Sequence, residues 1–253
     1  MKRAAALALL ICLAATGAAI ADPVTDHYNA GNRFYEQKDY AQALASYQAA
    51  VDAGGDDPDL YLNLGNAAFR VGETGVAVWA YRMGLRLAPR DGDLRFNLRY
   101  AQATLRDELP QPEQVWVVRA AEAVAGWFTP GEALGVAALA WLLLGLTAML
   151  WGPWRQRRGW LLVLGIGALT ALAIFGPLAG YRLHEQYGRR QGIVTAAETV
   201  VRTAPAEDAP EAFKIHAGLA LRIIEDRDRY ARVAIPTGLE GWIPLADYRF
   251  LRP

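Results

Sequence analysis

Two long apolar runs without charge dominate the pattern of hydrophobic and polar positions along the chain. No charged side chain occurs from Ala133 to Trp154 or from Gly159 to Tyr181. A helix needs about 20 residues to cross about 30 Å of hydrocarbon, whereas a soluble helix of this length normally carries a charged face. The pattern therefore predicts a two-helix transmembrane hairpin over residues 131–182, with crossings at about 133–152 and 160–181.

The short link between the two crossings carries Arg155, Arg157 and Arg158. Clustered arginines stay on the cytoplasmic side during insertion, so this link is predicted to face the cytoplasm. In the second crossing, Gly176 and Gly180 have the spacing of small residues at which two membrane helices approach closely. The first crossing is their predicted partner.

The start of the chain has the pattern of a secretory signal peptide. Lys2 and Arg3 precede the apolar stretch 4–18, and small residues at positions 19 and 21 precede Asp22. Residues 1–21 are therefore predicted to be a signal peptide. Export of the residues that follow implies a two-pass protein of the bacterial inner membrane, with both soluble parts in the periplasm.

Residues 25–105 contain an internal repeat with an offset of 34 residues, and small and aromatic residues recur within each unit. The related pairs are Gly31 and Gly65, Ala43 and Ala77, and Tyr47 and Tyr81. The pattern resembles the tetratricopeptide repeat (TPR), a helix-turn-helix unit. A third partial unit begins near Asp93 and runs to about Arg106, and a lone helix there would cap the stack. We therefore expect a TPR domain at 22–106, with two repeats and a capping helix.

Three asparagines, Asn32, Asn63 and Asn97, are the predicted peptide-binding residues of this region. Asn32 and Asn63 match positions at which related TPR domains clamp a peptide's C-terminal carboxylate. The basic residues of such a clamp are missing, because Tyr28, Asp93 and Asn97 occupy their positions. Asparagines that bond the helix backbone are the alternative interpretation.

Residues 107–130 are predicted to hold a linker and an amphipathic helix. Pro110 and Pro112 break the helical pattern, and apolar residues then recur on one face up to Phe128. This face could rest in the membrane interface or cover the TPR stack. Thr129 and Glu132 form a capping-box pattern around a first-turn proline, which predicts the start of the first crossing.

The pattern changes after Gly192 to short segments rich in β-branched residues. Five strands are predicted, at 193–194, 199–202, 219–224, 230–235 and 241–243. Their order and the Gly241-Trp242-Ile243 ending resemble the bacterial SH3-like domain, which implies a small all-β barrel at 190–253. Tyr230, Trp242 and Tyr248 are the predicted surface aromatics for peptide binding, although Trp242 also fits a core position.

The charge balance and the positions of the histidines and the cysteine argue against several classes of function. The chain has 26 basic and 26 acidic residues, and this balance argues against a nucleic-acid partner. His27, His184 and His216 lie in different segments, and no spacing of a metal or nucleophile motif is found. The single cysteine, Cys12, lies in the predicted signal peptide. We expect no catalytic, metal or cofactor residues and no enzymatic activity.

The order of these parts predicts a multidomain membrane protein: all-α TPR helical hairpins, a two-helix transmembrane hairpin and a small all-β SH3-like barrel. That order resembles the BatE-type proteins of aerotolerance operons. The resemblance implies a scaffold for the von Willebrand-type proteins BatA and BatB, associated with a MoxR-type ATPase in an envelope stress complex. The lipid bilayer is the other predicted partner. Cell-wall sensing is the alternative function, with peptidoglycan bound by the SH3-like domain.

Overall fold

A computed structural model of the chain describes residues 22–107, 126–184 and 190–251, together with Trp116. The predicted signal peptide, the prolines of the linker and most of the amphipathic helix lie outside these residues. The described chain contains seven α-helices and seven β-strands, grouped into two compact units, Met1–Asp56 and Asp57–Pro253. The domain boundaries given above stay predictions.

The first unit is a pair of helices, α1 (Pro23–Glu36) and α2 (Tyr40–Asp52). An aspartate precedes each helix and accepts a hydrogen bond from a backbone N–H of its first turn: Asp22 from Val24 and Asp39 from Gln42. Such N-caps satisfy donors that have no partner within the helix. The residues buried between the helices are Gly31, Ala43, Tyr47 and Ala50.

The second unit begins with three more helices, α3 (Pro58–Val71), α4 (Thr74–Leu87) and α5 (Gly92–Gln102). Gly72 ends α3 in a left-handed conformation with φ of 89°, which glycine adopts without strain. At Gly84 of α4, an added Cβ would lie 2.8 Å from Leu94 of α5, so the glycine allows the two helices to pack closely. The helical first part predicted from the repeat is thus confirmed, although α5 ends four residues earlier than expected.

Two long apolar helices follow, α6 (Pro130–Leu150) and α7 (Arg158–Leu183), joined by a 3-10 turn at Arg155–Arg157. Each is long and apolar enough to cross a membrane. The predicted capping box is confirmed at the start of α6. There the Thr129 hydroxyl accepts from the Glu132 N–H at 3.1 Å, and the Glu132 carboxylate accepts from the Thr129 N–H at 2.9 Å.

The two apolar helices pack as an antiparallel hairpin through small side chains. Ala133, Ala137 and Ala140 of α6 are buried, at positions that share one face of the helix. In α7, Gly165 lies beside Thr147 of α6. The expectation that Gly176 and Gly180 make the close contact is wrong, because a Cβ added at either position would meet no atom of α6 within 4 Å.

The chain after the hairpin folds into an antiparallel sheet. The predicted all-β character is thus confirmed, with seven strands rather than five, and the SH3-like barrel stays a prediction. The strands are β1 (Gln191–Val194), β2 (Glu198–Arg202), β3 (Glu211–His216), β4 (Ala220–Arg227), β5 (Tyr230–Ala234), β6 (Glu240–Pro244) and β7 (Tyr248–Phe250). Their order is β3-β2-β6-β5-β4-β1-β7. Neither β3 nor β7 is rich in the β-branched residues that favour strands. The sequence pattern therefore does not indicate these two strands.

One apolar cluster forms the core of the sheet. Its most buried members include Val194, Val201, Leu221, Val233 and Ile243. Gly241 explains the glycine of the Gly-Trp-Ile ending, because a side chain there would collide with Val201 and with the backbone of Arg202 on the neighbouring strand. The motif therefore marks the point where β6 crosses close to β2.

Candidate protein-binding site

The two repeated helix pairs share one packing unit of glycine, tyrosine and asparagine. In the first pair the Tyr47 ring lies against Gly31, where an added Cβ would be 2.5 Å from the ring. The Tyr47 hydroxyl donates to Asn32 Oδ1 at 2.8 Å. Burial, together with nearby Tyr28, raises the pKa of Tyr47 well above its ordinary value. The hydroxyl therefore stays protonated and keeps donating to the asparagine.

The second pair repeats this arrangement 34 residues later. Tyr81 lies against Gly65, with no room for a side chain at the glycine, and its hydroxyl donates to Asn66 Oδ1 at 2.9 Å. Asn97 of α5 also donates to Asn66 Oδ1 at 2.9 Å. Asn66 therefore connects the second helix pair to the capping helix.

The structure thus gives the predicted asparagines different surroundings. Asn32 and Asn97 are half-buried and bond side chains of the repeat, so neither alternative from the sequence describes them fully. Asn63 is half-buried. Sequence reasoning missed Asn66, which the 34-residue offset applied to Asn32 would have found. Peptide binding by Asn32, Asn63 and Asn97 stays a prediction.

The capping helix α5 carries large aromatic side chains on its outer face. Phe96 and Tyr100 are 60% and 59% exposed, and Tyr100 makes an edge contact with Phe69 of α3 at a centroid distance of 5.4 Å. Only Leu94 and Ala101 of α5 are buried. The last helix therefore adds an apolar surface of its own.

The three predicted surface aromatics of the sheet do not lie together on an exposed face. Trp242 and Tyr248 are buried, with exposed fractions of 8% and 5%, and only Tyr230 is half-exposed. The surface position expected for Tyr248 is wrong, because Tyr248 belongs to the apolar core. For Trp242 the structure supports the alternative, a core position. Binding of a peptide by these residues stays untested.

One face of α4 holds the sheet against the helices of the second unit. Trp79 Nε1 donates to the Phe250 carbonyl at 2.8 Å, and Arg86 donates to the Leu251 carbonyl at 3.0 Å. The Arg249 guanidinium lies 4.9 Å from the Trp79 ring centroid. At Gly75 an added Cβ would be 2.5 Å from the Val194 carbonyl oxygen. Helix and sheet are therefore in direct contact through the backbone as well as the side chains.

A second contact joins the segment after α5 to the end of β3. The Asp107 carboxylate accepts from the His216 backbone N–H at 2.7 Å, and its other oxygen lies 2.8 Å from His216 Nδ1. Leu105 fills the space over Gly218, whose φ is 87°. His216 is the last residue of β3 and takes part in this contact.

Comparison with known proteins supports the repeat and no more. A family model described as a TPR repeat matches residues 31–72. No curated protein matches the chain. The TPR interpretation is therefore supported for this segment, while the resemblance to BatE-type proteins and to SH3-like domains stays a prediction.

Proposed function

We propose that this chain is a membrane-anchored, non-enzymatic scaffold for protein–protein interactions. The observation that carries the proposal is the TPR match at residues 31–72, supported by the glycine-tyrosine-asparagine packing that recurs 34 residues later. TPR units stack helix pairs into extended surfaces that bind other proteins.

Membrane anchoring is supported by the surface of the hairpin. Large apolar side chains cover it, and Trp141, Leu142 and Met149 are among the most exposed. Exposed apolar patches of this extent are rare on soluble monomers. We place the hairpin in the bacterial inner membrane, with the arginine turn in the cytoplasm and the soluble parts in the periplasm.

The contact between α4 and the sheet supports a fixed presentation of the second unit's surfaces. A partner that touches both would find them already oriented, which lowers the ordering cost of binding. BatA-like and BatB-like proteins, with their MoxR-type ATPase, remain proposed partners on the resemblance alone. Peptidoglycan binding gains no support, because Trp242 and Tyr248 are buried.

Protein capture can be tested with a photo-crosslinking amino acid placed at exposed aromatic positions of α5. The probe at Phe96 of the full chain in native membranes should yield a discrete crosslinked protein. The same probe at Leu239, an exposed residue just before β6, is the control for random collisions. The crosslink should disappear when Tyr100→Ala is added. If Phe96 and Leu239 give the same products, the capture surface is not on α5.

Membrane topology can be tested by labelling single introduced cysteines. The only natural cysteine lies in the predicted signal peptide, so the chain after that peptide gives no background labelling. Single cysteines at Leu239, just before β6, and at Gln156, in the arginine turn, are both on exposed positions. A membrane-impermeant maleimide added to spheroplasts should label Leu239→Cys and leave Gln156→Cys unlabelled until the membrane is opened. The reverse pattern, or release of the chain by alkaline carbonate, would contradict the proposed anchoring.

A further inference from the structure

A cavity of about 290 Å³ lies where α4, the start of β1 and the base of the hairpin meet. Three arginines line it: Arg82 and Arg86 from α4, and Arg182 from the last turn of α7. Gln191, the first residue of β1, adds an amide. Arg82 and Gln191 also line a neighbouring cavity of about 400 Å³. None of the described residues that line either cavity is an aspartate or glutamate.

Arg82 is the unusual member of this group. Its Nε is buried and has no hydrogen-bond partner, and no carboxylate of the described chain forms an ion pair with it. Burial lowers the pKa of the Arg82 guanidinium, and no charge among the described residues acts in the opposite direction. Buried cations in proteins are almost always paired. Among the described residues Arg82 has no counter-charge, and this marks the cavity as a site for an anion.

The other two arginines are held in place by backbone carbonyls. Arg86 donates to the Leu251 carbonyl at 3.0 Å, and Arg182 donates to the Phe128 carbonyl at 3.2 Å. Arg82 and Arg86 are four residues apart on one face of α4, and their flat guanidinium groups suit two-point contact with a phosphate.

We propose that this cavity binds a phosphate group through Arg82, Arg86, Arg182 and Gln191. The membrane is the favoured source of that group, as the phosphate of a phospholipid headgroup. Pro130, in the first turn of α6, also lines the cavity, so the cavity lies at the level where both apolar helices begin or end. This choice of source rests on the proposed membrane anchoring, whereas the phosphate site itself does not.

The test measures the thermal unfolding of the delipidated full chain in detergent, with four additions compared. These are dioctanoyl phosphatidylglycerol, dioctanoylglycerol as the same lipid without phosphate, inorganic phosphate, and buffer alone. A ligand that binds only the folded state raises the unfolding temperature. The variants are Arg82→Gln, Arg86→Gln and the control Arg155→Gln, which removes one exposed arginine from the far end of the hairpin.

The unfolding temperature of the unaltered chain should rise with phosphatidylglycerol and not with dioctanoylglycerol. Arg155→Gln should keep this rise. Both cavity variants should lose it, because their apparent affinity falls by about tenfold or more when a charged hydrogen bond is removed. A purely structural arginine would behave differently, since Arg82→Gln would then lower the unfolding temperature without ligand. Here it should leave that temperature unchanged or raise it.

Three further outcomes have defined meanings. A rise with inorganic phosphate that Arg82→Gln abolishes supports the phosphate site, and if phosphatidylglycerol then has no effect, the lipid source is wrong. A rise that Arg82→Gln and Arg86→Gln both retain overturns the proposal, as does the absence of any rise. The carbonate and maleimide experiments test anchoring separately, so an empty cavity in a membrane-bound chain would refute this inference alone.

Discussion

The contact between α4 and the last strand predicts a measurable effect of changing Trp79 to phenylalanine. Trp79 is buried, and its indole N–H bonds the Phe250 carbonyl at 2.8 Å. Phenylalanine keeps an aromatic ring beside the Arg249 guanidinium but has no donor, so the carbonyl loses its partner. The bond is part-buried, and its loss costs about 1–3 kcal/mol if the carbonyl is left without a partner.

Hydrogen exchange of the full chain in detergent micelles measures this loss where it occurs. The Leu251 N–H donates to the Gln191 carbonyl at 2.9 Å and reports the pairing of β7 with β1. A loss of about 2 kcal/mol in the free energy of local opening makes exchange roughly 30-fold faster. The increase should appear in peptides that cover β7 and α4.

Trp141→Phe is the matched control, because Trp141 of α6 is 67% exposed and such changes usually stay within about 0.5 kcal/mol. The hairpin variant should leave exchange in β7 unchanged. If Trp79→Phe accelerates exchange in β7 no more than Trp141→Phe does, the indole bond does not hold the sheet to α4.

Two further predictions concern close packing and the buried tyrosine of the first helix pair. Gly75→Ala pushes a methyl group against a backbone carbonyl of β1. Urea denaturation should therefore show a free energy of unfolding lower by about 1–3 kcal/mol. Gly92→Ala, where an added Cβ meets no atom within 4 Å, should show no decrease of this size. Tyr47→Phe should lower the free energy of unfolding by about 1 kcal/mol at neutral pH, because the hydrogen bond to Asn32 is lost. Tyr100→Phe, at an exposed tyrosine, is the control. Burial raises the pKa of Tyr47, so its neutral form stabilises the fold up to about pH 10. Above that pH, the free energy of unfolding of the unaltered chain should fall towards that of Tyr47→Phe. A constant difference up to pH 12 would contradict this.

The elements that the sequence predicted well are those with a strong local period or a local cap. The 34-residue offset leads directly to the helix pairs, because the glycine and the tyrosine of each repeat pack against each other: Gly31 on Tyr47, and Gly65 on Tyr81. The capping box at Thr129 and Glu132 is equally local. The apolar hairpin is recognisable from length alone, since no other described segment lacks charge over so many residues.

The missed features depend on contacts between distant segments. The sequence of β7 is too short for a strand pattern, and its pairing with β1 joins residues more than 50 positions apart. The cavity arginines come from α4 and α7, separated by about 100 residues, so no local spacing unites Arg82 with Arg182. Trp242 is a similar case, because it pairs across the sheet with Arg202 of β2, about 40 positions away, so its surroundings depend on a distant segment.

The position of β7 also has a consequence for handling the protein. An edge strand exposes carbonyls that can pair with strands from other molecules and start aggregation. Here Trp79 and Arg86 occupy the carbonyls of Phe250 and Leu251, so a helix from the repeat shields that edge. A fragment limited to the sheet would lose this shield, and self-association would then be a property of the truncation rather than of the intact chain.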